Sequence, residues 1–371
     1  LAYAAHFQGR SQAVVQWGGL TRVLTAKATE QLYGCLIEQG KGDVRGRLLS
    51  MLPASLIGAR DAALAGRLYL NVGHTGLDKA VHASWLHRTQ VRPIYFVHDL
   101  IPIRFPEYCR PGEAEKHRRR LQALLSHGVG IIGNSRHTLD EVTRFATQQS
   151  LSTPPSLLAP LGLADPQCPS AADVPAQRRA RPYFVVLGTI EARKNHLLLL
   201  TLWAELARRF GSACPQLVII GQRGWECEQV IDMLDRCEAI REHVVELPSC
   251  DDTTLAACMR GARALLFPSF AEGYGLPLVE ALAAGTPVIA SDLPVFRELA
   301  GSIPDYLSPI DGIGWMNAVE DYGSPASFRR SAQLERLRGW EPPSWSDHFN
   351  KVDEWLNQIS QMPVSGLVSA N

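Results

Sequence analysis

Apolar residues along this chain fall into short unbroken runs separated by stretches with helical spacing. In the first half, "AVVQW" (13–17), "GRLYLNVG" (66–73), "RPIYFVHDL" (92–100), "GVGIIGNS" (128–135) and "LLAPLGL" (157–163) read as strands. "PGEAEKHRRRLQALLSHG" (111–128) and "SRHTLDEVTRFATQQ" (135–149) read as helices, the second opening on a Ser cap. A stretch rich in Pro, Ala and Ser follows, the signature of a linker. The pattern then restarts. "YFVVLGT" (183–189), "PQLVIIG" (215–221), "VVEL" (244–247), "ARALLFPS" (262–269) and "TPVIAS" (286–291) are strands with helices between them. Unbroken apolar strands between helices predict parallel sheets covered on both faces. The expected fold is therefore α/β, with two doubly wound, Rossmann-like domains facing a central cleft. Residues 1–165 would form the first domain, 166–181 the linker and 182–343 the second domain. In 344–371, Phe349, Val352, Trp355 and Leu356 recur at helical spacing. That segment is expected to cross back to the first domain.

Composition changes this picture little. A length of 371 residues suits two domains. Lys plus Arg equals Asp plus Glu at 37 each, which gives no global reason to expect nucleic acid. Eight cysteines are scattered without a CxxC pair, against a zinc knuckle or a disulfide framework and in keeping with a reducing compartment. No apolar run reaches the length of a membrane-spanning helix, and no signal-peptide pattern is visible. The basic run "KHRRR" (116–120) has two readings. It is a solvated helix face, or a surface for anionic lipid headgroups or a diphosphate acceptor.

The candidate chemistry concentrates at strand ends, where ligands bind in doubly wound sheets. "FPSFAEGYGLPLVEALAAGTPVIASD" (267–292) carries Glu272 in a Gly-rich turn and Glu280 in the first turns of a helix opened near Pro277. Gly273 and Gly275 allow tight backbone geometry around Tyr274. The N–H groups of Gly275 and Leu276 would meet an anion at the helix start. Carboxylates on either side can accept hydrogen bonds from sugar or ribose hydroxyls. Taken alone, the two glutamates also fit a loop surface and a favourable helix dipole. A metal would need further ligands, and Asp292 is the only acidic neighbour at hand, so none is expected. In "LGTIEARKNH" (187–196), Arg193 and Lys194 follow a strand and a small-residue turn containing Thr189, an arrangement that suits a diphosphate. Gly221 could approach the ligand at the next strand end, and backbone near Leu247 could contact the base. Neither GxGxxG nor GxxxxGK[ST] is present there. In the first half, His98 and Asp99 end a strand, His74 and Thr75 end another, and Asn134, Ser135 and Arg136 open a helix. For the last five, loop and cap roles remain as open as acceptor contacts.

With Glu272, seven residues and Glu280, "GTIEARKNH" and "DDTTLAACMRGARALLFPS", the chain resembles the retaining GT-B glycosyltransferases of family 4, or glycosyl transferases group 1. The resemblance implies that Glu280 binds the donor ribose and Glu272 the transferred sugar. It implies that Lys194, with Arg193, neutralises the diphosphate, and that His98, with Asp99 second, acts at the reacting centre. Many relatives place an arginine where this chain has Thr189. "HDLIP", "RFPE" and "NSRHT" resemble bacterial polysaccharide and O-antigen mannosyltransferases. They imply transfer of mannose from GDP-mannose to a saccharide or lipid-diphosphate-linked saccharide. The site implied is the inner face of the bacterial cytoplasmic membrane, with the protein held peripherally on its anionic surface. UDP-hexose or GDP-rhamnose donors and a phosphorylase-like GT-B enzyme are the alternatives. No cofactor, metal or nucleic-acid partner is implied. Such relatives carry a first strand and Gly-rich loop before an "LAYA"-like helix, so both are expected to precede Leu1.

Overall fold

A computed structural model describes residues 1–17, 20–38, 61–73, 75–163 and 181–363. His74 and residues 166–180 of the expected linker lie outside them. Near the start, β1 (Val14–Trp17) pairs with β2 (Leu20–Val23) as an antiparallel ribbon. The run at 13–17 is thus a strand, but it does not join a parallel sheet.

The sheet of the first lobe contains β3 (Leu68–Asn71), β4 (Arg92–Val97), β5 (Gly130–Gly133) and β6 (Ser156–Leu158), all parallel and in that order. Alternate side chains point to opposite faces of the sheet. Tyr95, Val97 and Ile131 pack on Leu121, Leu124, Val142 and Phe145 from helices Glu113–His127 and Arg136–Gln148. Ile94, Phe96 and Ile132 meet Val352 and Ile359 of helix Trp345–Gln361. The last helix therefore covers a face of the first lobe. A Cβ on Gly130 would lie 2.5 Å from the Trp355 ring, so only glycine lets that ring seat on the strand. The buried Arg92 guanidinium then donates to the carbonyls of Ile359 and Ser360 at 2.7 and 3.1 Å, satisfying the end of the helix. Burying Val352 and Ile359 contributes about 1.5–3 kcal/mol each.

The second lobe contains six parallel strands: β7 (Tyr183–Leu187), β8 (Gln216–Ile220), β9 (Val244–Leu247), β10 (Leu265–Phe267), β11 (Val288–Ser291) and β12 (Asp305–Leu307). Their order is β12-β11-β10-β7-β8-β9. Phe184, Val186, Leu217 and Ile219 face one core, and Tyr183, Val185, Val218 and Ile220 face the other. That alternation is why these strands read as unbroken apolar runs. The chain winds outward from β7 in one direction and from β10 in the other, so the strand order reverses between them. Ligands in such sheets bind in the crevice at that reversal. The loops that leave β7 and β10 carry Lys194 and Glu272.

Candidate active site at the lobe interface

After β7 the chain turns through Gly188 and Thr189 into the short turn Ala192–Lys194. Asn195 holds a left-handed conformation (φ 59°) and begins helix His196–Phe210. Its amide donates to the carbonyls of Pro268 and Pro309 at 3.1 and 2.8 Å, tying the loops after β7, β10 and β12 together. Gly221 sits at the neighbouring strand end with φ 154°. A Cβ there would lie 2.1 Å from the Gly188 carbonyl oxygen, so two strand ends close on each other only with glycine.

Lys194 Nζ donates to Glu272 Oε1 at 2.6 Å, and Ser269 Oγ donates to the same oxygen at 2.7 Å. Arg193 stands 2.8 Å from Glu272 Oε2 and reaches Glu191 with its other nitrogen at 2.7 Å. Burial opposes ionisation of Glu272, but Lys194 and Arg193, with hydrogen bonds from Lys194 and Ser269, outweigh it and hold the carboxyl below its usual range. The Gly-rich turn was expected to present Glu272 to a sugar. It holds the side chain buried and paired with two cations.

Glu280 lies in helix Leu276–Ala283, which starts at Gly275 (φ 109°) with Pro277 in its first turn. A Cβ on Gly275 would meet the Phe296 ring at 2.7 Å. Gly275 and Leu276 stand at the helix start, and the buried Tyr274 donates its hydroxyl to the Leu161 carbonyl at 2.9 Å. Among the described residues the Glu280 carboxyl has no hydrogen-bond or ion-pair partner. Burial, and then the nearby Asp252, push its carboxyl up. A half-buried carboxylate without a partner is disfavoured in the folded chain. Its raised folded value means that its stabilisation is full below the unfolded pKa and is lost as pH rises through the folded pKa. Glu280→Gln is accordingly expected to raise the melting temperature at pH 7–8, by about 2–4 °C per kcal/mol relieved. The gain should disappear in acid. Melting curves across pH check it, and a loss of stability at pH 8 would contradict it.

The first lobe supplies the opposite wall. A cavity of about 230 Å³ is lined by Asp99, Arg104, His137 and Thr138 from the first lobe and by Glu272 and Gly273 from the second. His98 Nε2–H donates to the Val72 carbonyl at 2.9 Å, and its own carbonyl accepts from Asn134 at 3.0 Å. Asp99 accepts from the N–H of Ile101 at 3.0 Å. Ser135 caps helix Arg136–Gln148 by accepting from the N–H of Thr138 at 3.0 Å. Thr75 is exposed. Asn134 and Ser135 thus hold the strand end and the helix start. His98 and Asp99 keep the strand-end position expected of them, with Asp99 on the cavity wall.

Several partners were missed in the sequence. Glu191 stands two residues before Arg193, and an acid so close to a paired cation was the available signal. Glu298, from helix Pro294–Ala300, accepts from the N–H groups of Arg136 and His137 at 2.6 and 3.1 Å across the cleft. No local pattern announces that contact. Asp292 pairs with Arg297 at 2.6 Å rather than with either site glutamate. The basic run is partly neutralised in place: Lys116 meets Glu113, Arg118 and Arg119 share Glu115, and Arg120 meets Asp78. His117 is buried. Among the described residues no cluster of three or more His, Cys, Asp or Glu could hold a metal ion, and no helix is long and apolar enough to cross a membrane.

Two Rossmann-like lobes with parallel sheets, facing each other over a charged cleft at the strand-order reversal, define a GT-B protein. The same architecture appears in sucrose-phosphate synthase from Thermosynechococcus elongatus, at 18% identity and TM-score 0.64, covering 96% of this chain and 90% of that one. Trehalose 6-phosphate synthase from Burkholderia multivorans shares it at 12% identity and TM-score 0.64, covering 98% and 88%. Residues 172–302 match the profile of the family Glycosyl transferases group 1. It resembles bacterial mannosyltransferases of O-antigen type. The serotype-specific mannosyltransferase WbdA of Escherichia coli is 29% identical over 240 residues, 62% of this chain and 29% of that protein. O-antigen chain mannosyltransferase B of Escherichia coli is 27% identical over 61% of this chain and 59% of its own length. The chain thus spans under a third of WbdA and about three fifths of the latter protein.

Proposed function

We propose that this protein is a retaining glycosyltransferase that moves a hexose from a nucleoside-diphosphate sugar to a saccharide or lipid-linked saccharide. The observation that carries the reading is the pairing of Lys194 and Arg193 with Glu272 at the strand-order reversal, beside a helix start and the unpartnered Glu280. As the bond from anomeric carbon to diphosphate breaks, negative charge grows on the leaving oxygen. Lys194, Arg193 and the N–H groups of Gly275 and Leu276 would stabilise it. Glu280 offers its free carboxylate to the ribose hydroxyls. Glu272 makes a poor nucleophile, because its oxygens already accept from Lys194, Ser269 and Arg193 and its basicity is depressed. That favours same-face attack assisted by the leaving phosphate over a covalent intermediate on Glu272.

The ribose and diphosphate contacts are common to GDP and UDP donors, so both stand for this site. The names of the sequence relatives support mannose as the sugar and an O-antigen-type chain as its acceptor; GDP-mannose as the donor rests on the sequence resemblance alone. A UDP-hexose is the second donor class. Peripheral attachment to an anionic membrane rests on the sequence resemblance, with the run at 116–120 keeping one cation more than its acidic neighbours. Titration with GDP and UDP, followed by transfer assays with GDP-mannose and UDP-glucose, tests the reading. Binding of at least one diphosphate, weakened on the order of 10-fold or more by Lys194→Ala, is expected. Failure of the wild-type protein to bind either diphosphate would remove the reading.

A further inference from the structure

The two cations of the site are already balanced. Lys194 and Arg193 bring two positive charges, and Glu272 and Glu191 bring two negative ones at contact distance. A diphosphate entering this cluster meets little net positive charge, and the leaving group gains more negative charge as it departs. Among the arginines around the cleft, Arg104 meets Glu141, Arg223 meets Asp235 and Glu246, and Arg297 meets Asp292. Arg110 is different. Like Arg136 it is exposed and its side chain has no carboxylate partner among the described residues, but unlike Arg136 it also lies over an aromatic ring. Its guanidinium carbon rests 4.8 Å from the ring centroid of Trp225, which belongs to the other lobe.

Trp225 lies next to the same cluster. The preceding Gly224 donates its N–H to the Ile190 carbonyl at 2.9 Å, and a Cβ there would touch Thr189 at 2.7 Å. Two residues before Arg110, the Tyr108 ring stacks on Phe270 with centroids 5.4 Å apart, and Phe270 is two residues from Glu272. Between them, Cys109 has its thiol pushed up by burial and then by Asp99, with Arg193 opposing and Glu191 adding. The whole turn therefore reaches across the cleft to the diphosphate cluster. Stacking on an aromatic face leaves the in-plane N–H donors of an arginine directed outward, ready for phosphate oxygens.

We infer that Arg110 is a third cation of the diphosphate site, delivered from the first lobe across the cleft, with Trp225 as its resting place. This rests on reading the cluster as a nucleoside-diphosphate site. Arg110 then couples donor occupancy to lobe closure, because the phosphate it grips is held by the opposite lobe.

Calorimetric titration tests it with GDP, UDP, guanosine and uridine as probes and with Arg110→Ala, Arg110→Lys, Trp225→Leu and Lys194→Ala as variants. Arg110→Ala should weaken the bound diphosphate on the order of 10-fold and leave the matching nucleoside unchanged. The dependence of its affinity on salt should flatten, and Arg110→Lys should recover part of the loss. Trp225→Leu should give a smaller loss of the same kind. If Arg110→Ala binds diphosphate like the wild type while Lys194→Ala does not, the inference falls and the reading of the site stands. An equal loss for diphosphate and nucleoside would overturn it too, since a phosphate contact cannot produce that. If the wild type binds neither diphosphate, the reading of the site falls and takes Arg110 with it.

Discussion

Glu272→Gln is expected to slow single-turnover transfer on the order of 10²-fold, the scale for one lost electrostatic contact at a reacting centre. Lys194 and Arg193 are aimed by this carboxylate, so its loss reaches the diphosphate through them. Glu272→Ala should in addition cost about 3–5 kcal/mol of stability, because it strands buried positive charge. Adding Lys194→Met to Glu272→Gln removes both members of one buried pair. That double variant should regain part of the stability and none of the transfer. The carboxyl lies below its usual range, so its contribution is full above the unfolded pKa and is lost as pH falls through the depressed folded pKa. The stability gap between wild type and Glu272→Gln should therefore narrow in acid. Chemical denaturation and single-turnover kinetics decide the matter. Variants that are destabilised yet transfer at the wild-type rate would reduce Glu272 to a structural ion-pair member.

Gly273→Ala is expected to have the second large effect, and its origin is steric. A Cβ on Gly273 would sit 2.7 Å from the Asp99 Cβ and 2.9 Å from the His98 carbonyl oxygen. Both obstacles belong to the end of β4 in the other lobe, which is packed and cannot retreat. The lobes must move apart instead. Gly273 lies in a loop, so the melting temperature should change little, while donor binding should weaken as far as it depends on the Arg110 contact across the cleft. A displacement near 1 Å between reacting groups can cost about 10²-fold in rate. Kinetics with scattering measurements of the lobe separation test this prediction. A fast and compact Gly273→Ala would show that the turn relaxes locally.

The central parallel strands of both lobes were legible because they are covered on both faces, which forces runs such as Phe184–Val186 and Leu217–Ile220 to be apolar throughout. β12 escaped notice because Asp305–Leu307 is a half-buried edge strand with a charged first residue. β1 was seen as a strand, but its partner β2 contains Thr21 and Arg22 and carries no apolar run. The positions of Lys194 and Glu272 at strand ends could be read from the local pattern. Their mutual contact could not, since 78 residues separate them and only the strand-order reversal brings them together. The same holds for Glu298, whose partners Arg136 and His137 lie in the other lobe. The pairing of the basic run was legible only in part. Its acids Glu113 and Glu115 lie a turn away, visible in the sequence, but Asp78 comes from a distant segment.

The two crossings between lobes have a mechanical consequence. Leu163 forms a parallel bridge with Ser344 and donates its N–H to the Pro343 carbonyl at 3.2 Å. At Gly162 the backbones approach so closely that a Cβ would sit 2.1 Å from the nitrogen of Trp345. Two tethers fastened side by side behave as a hinge pin. Such a pin is expected to favour rotation about one axis over sliding of one lobe past the other. With a single coordinate available, Glu298 on its helix start, Tyr108 on Phe270 and Arg110 on Trp225 form and break as a set. Weakening any of them then changes how often the door is shut, while the shape of the shut door stays the same.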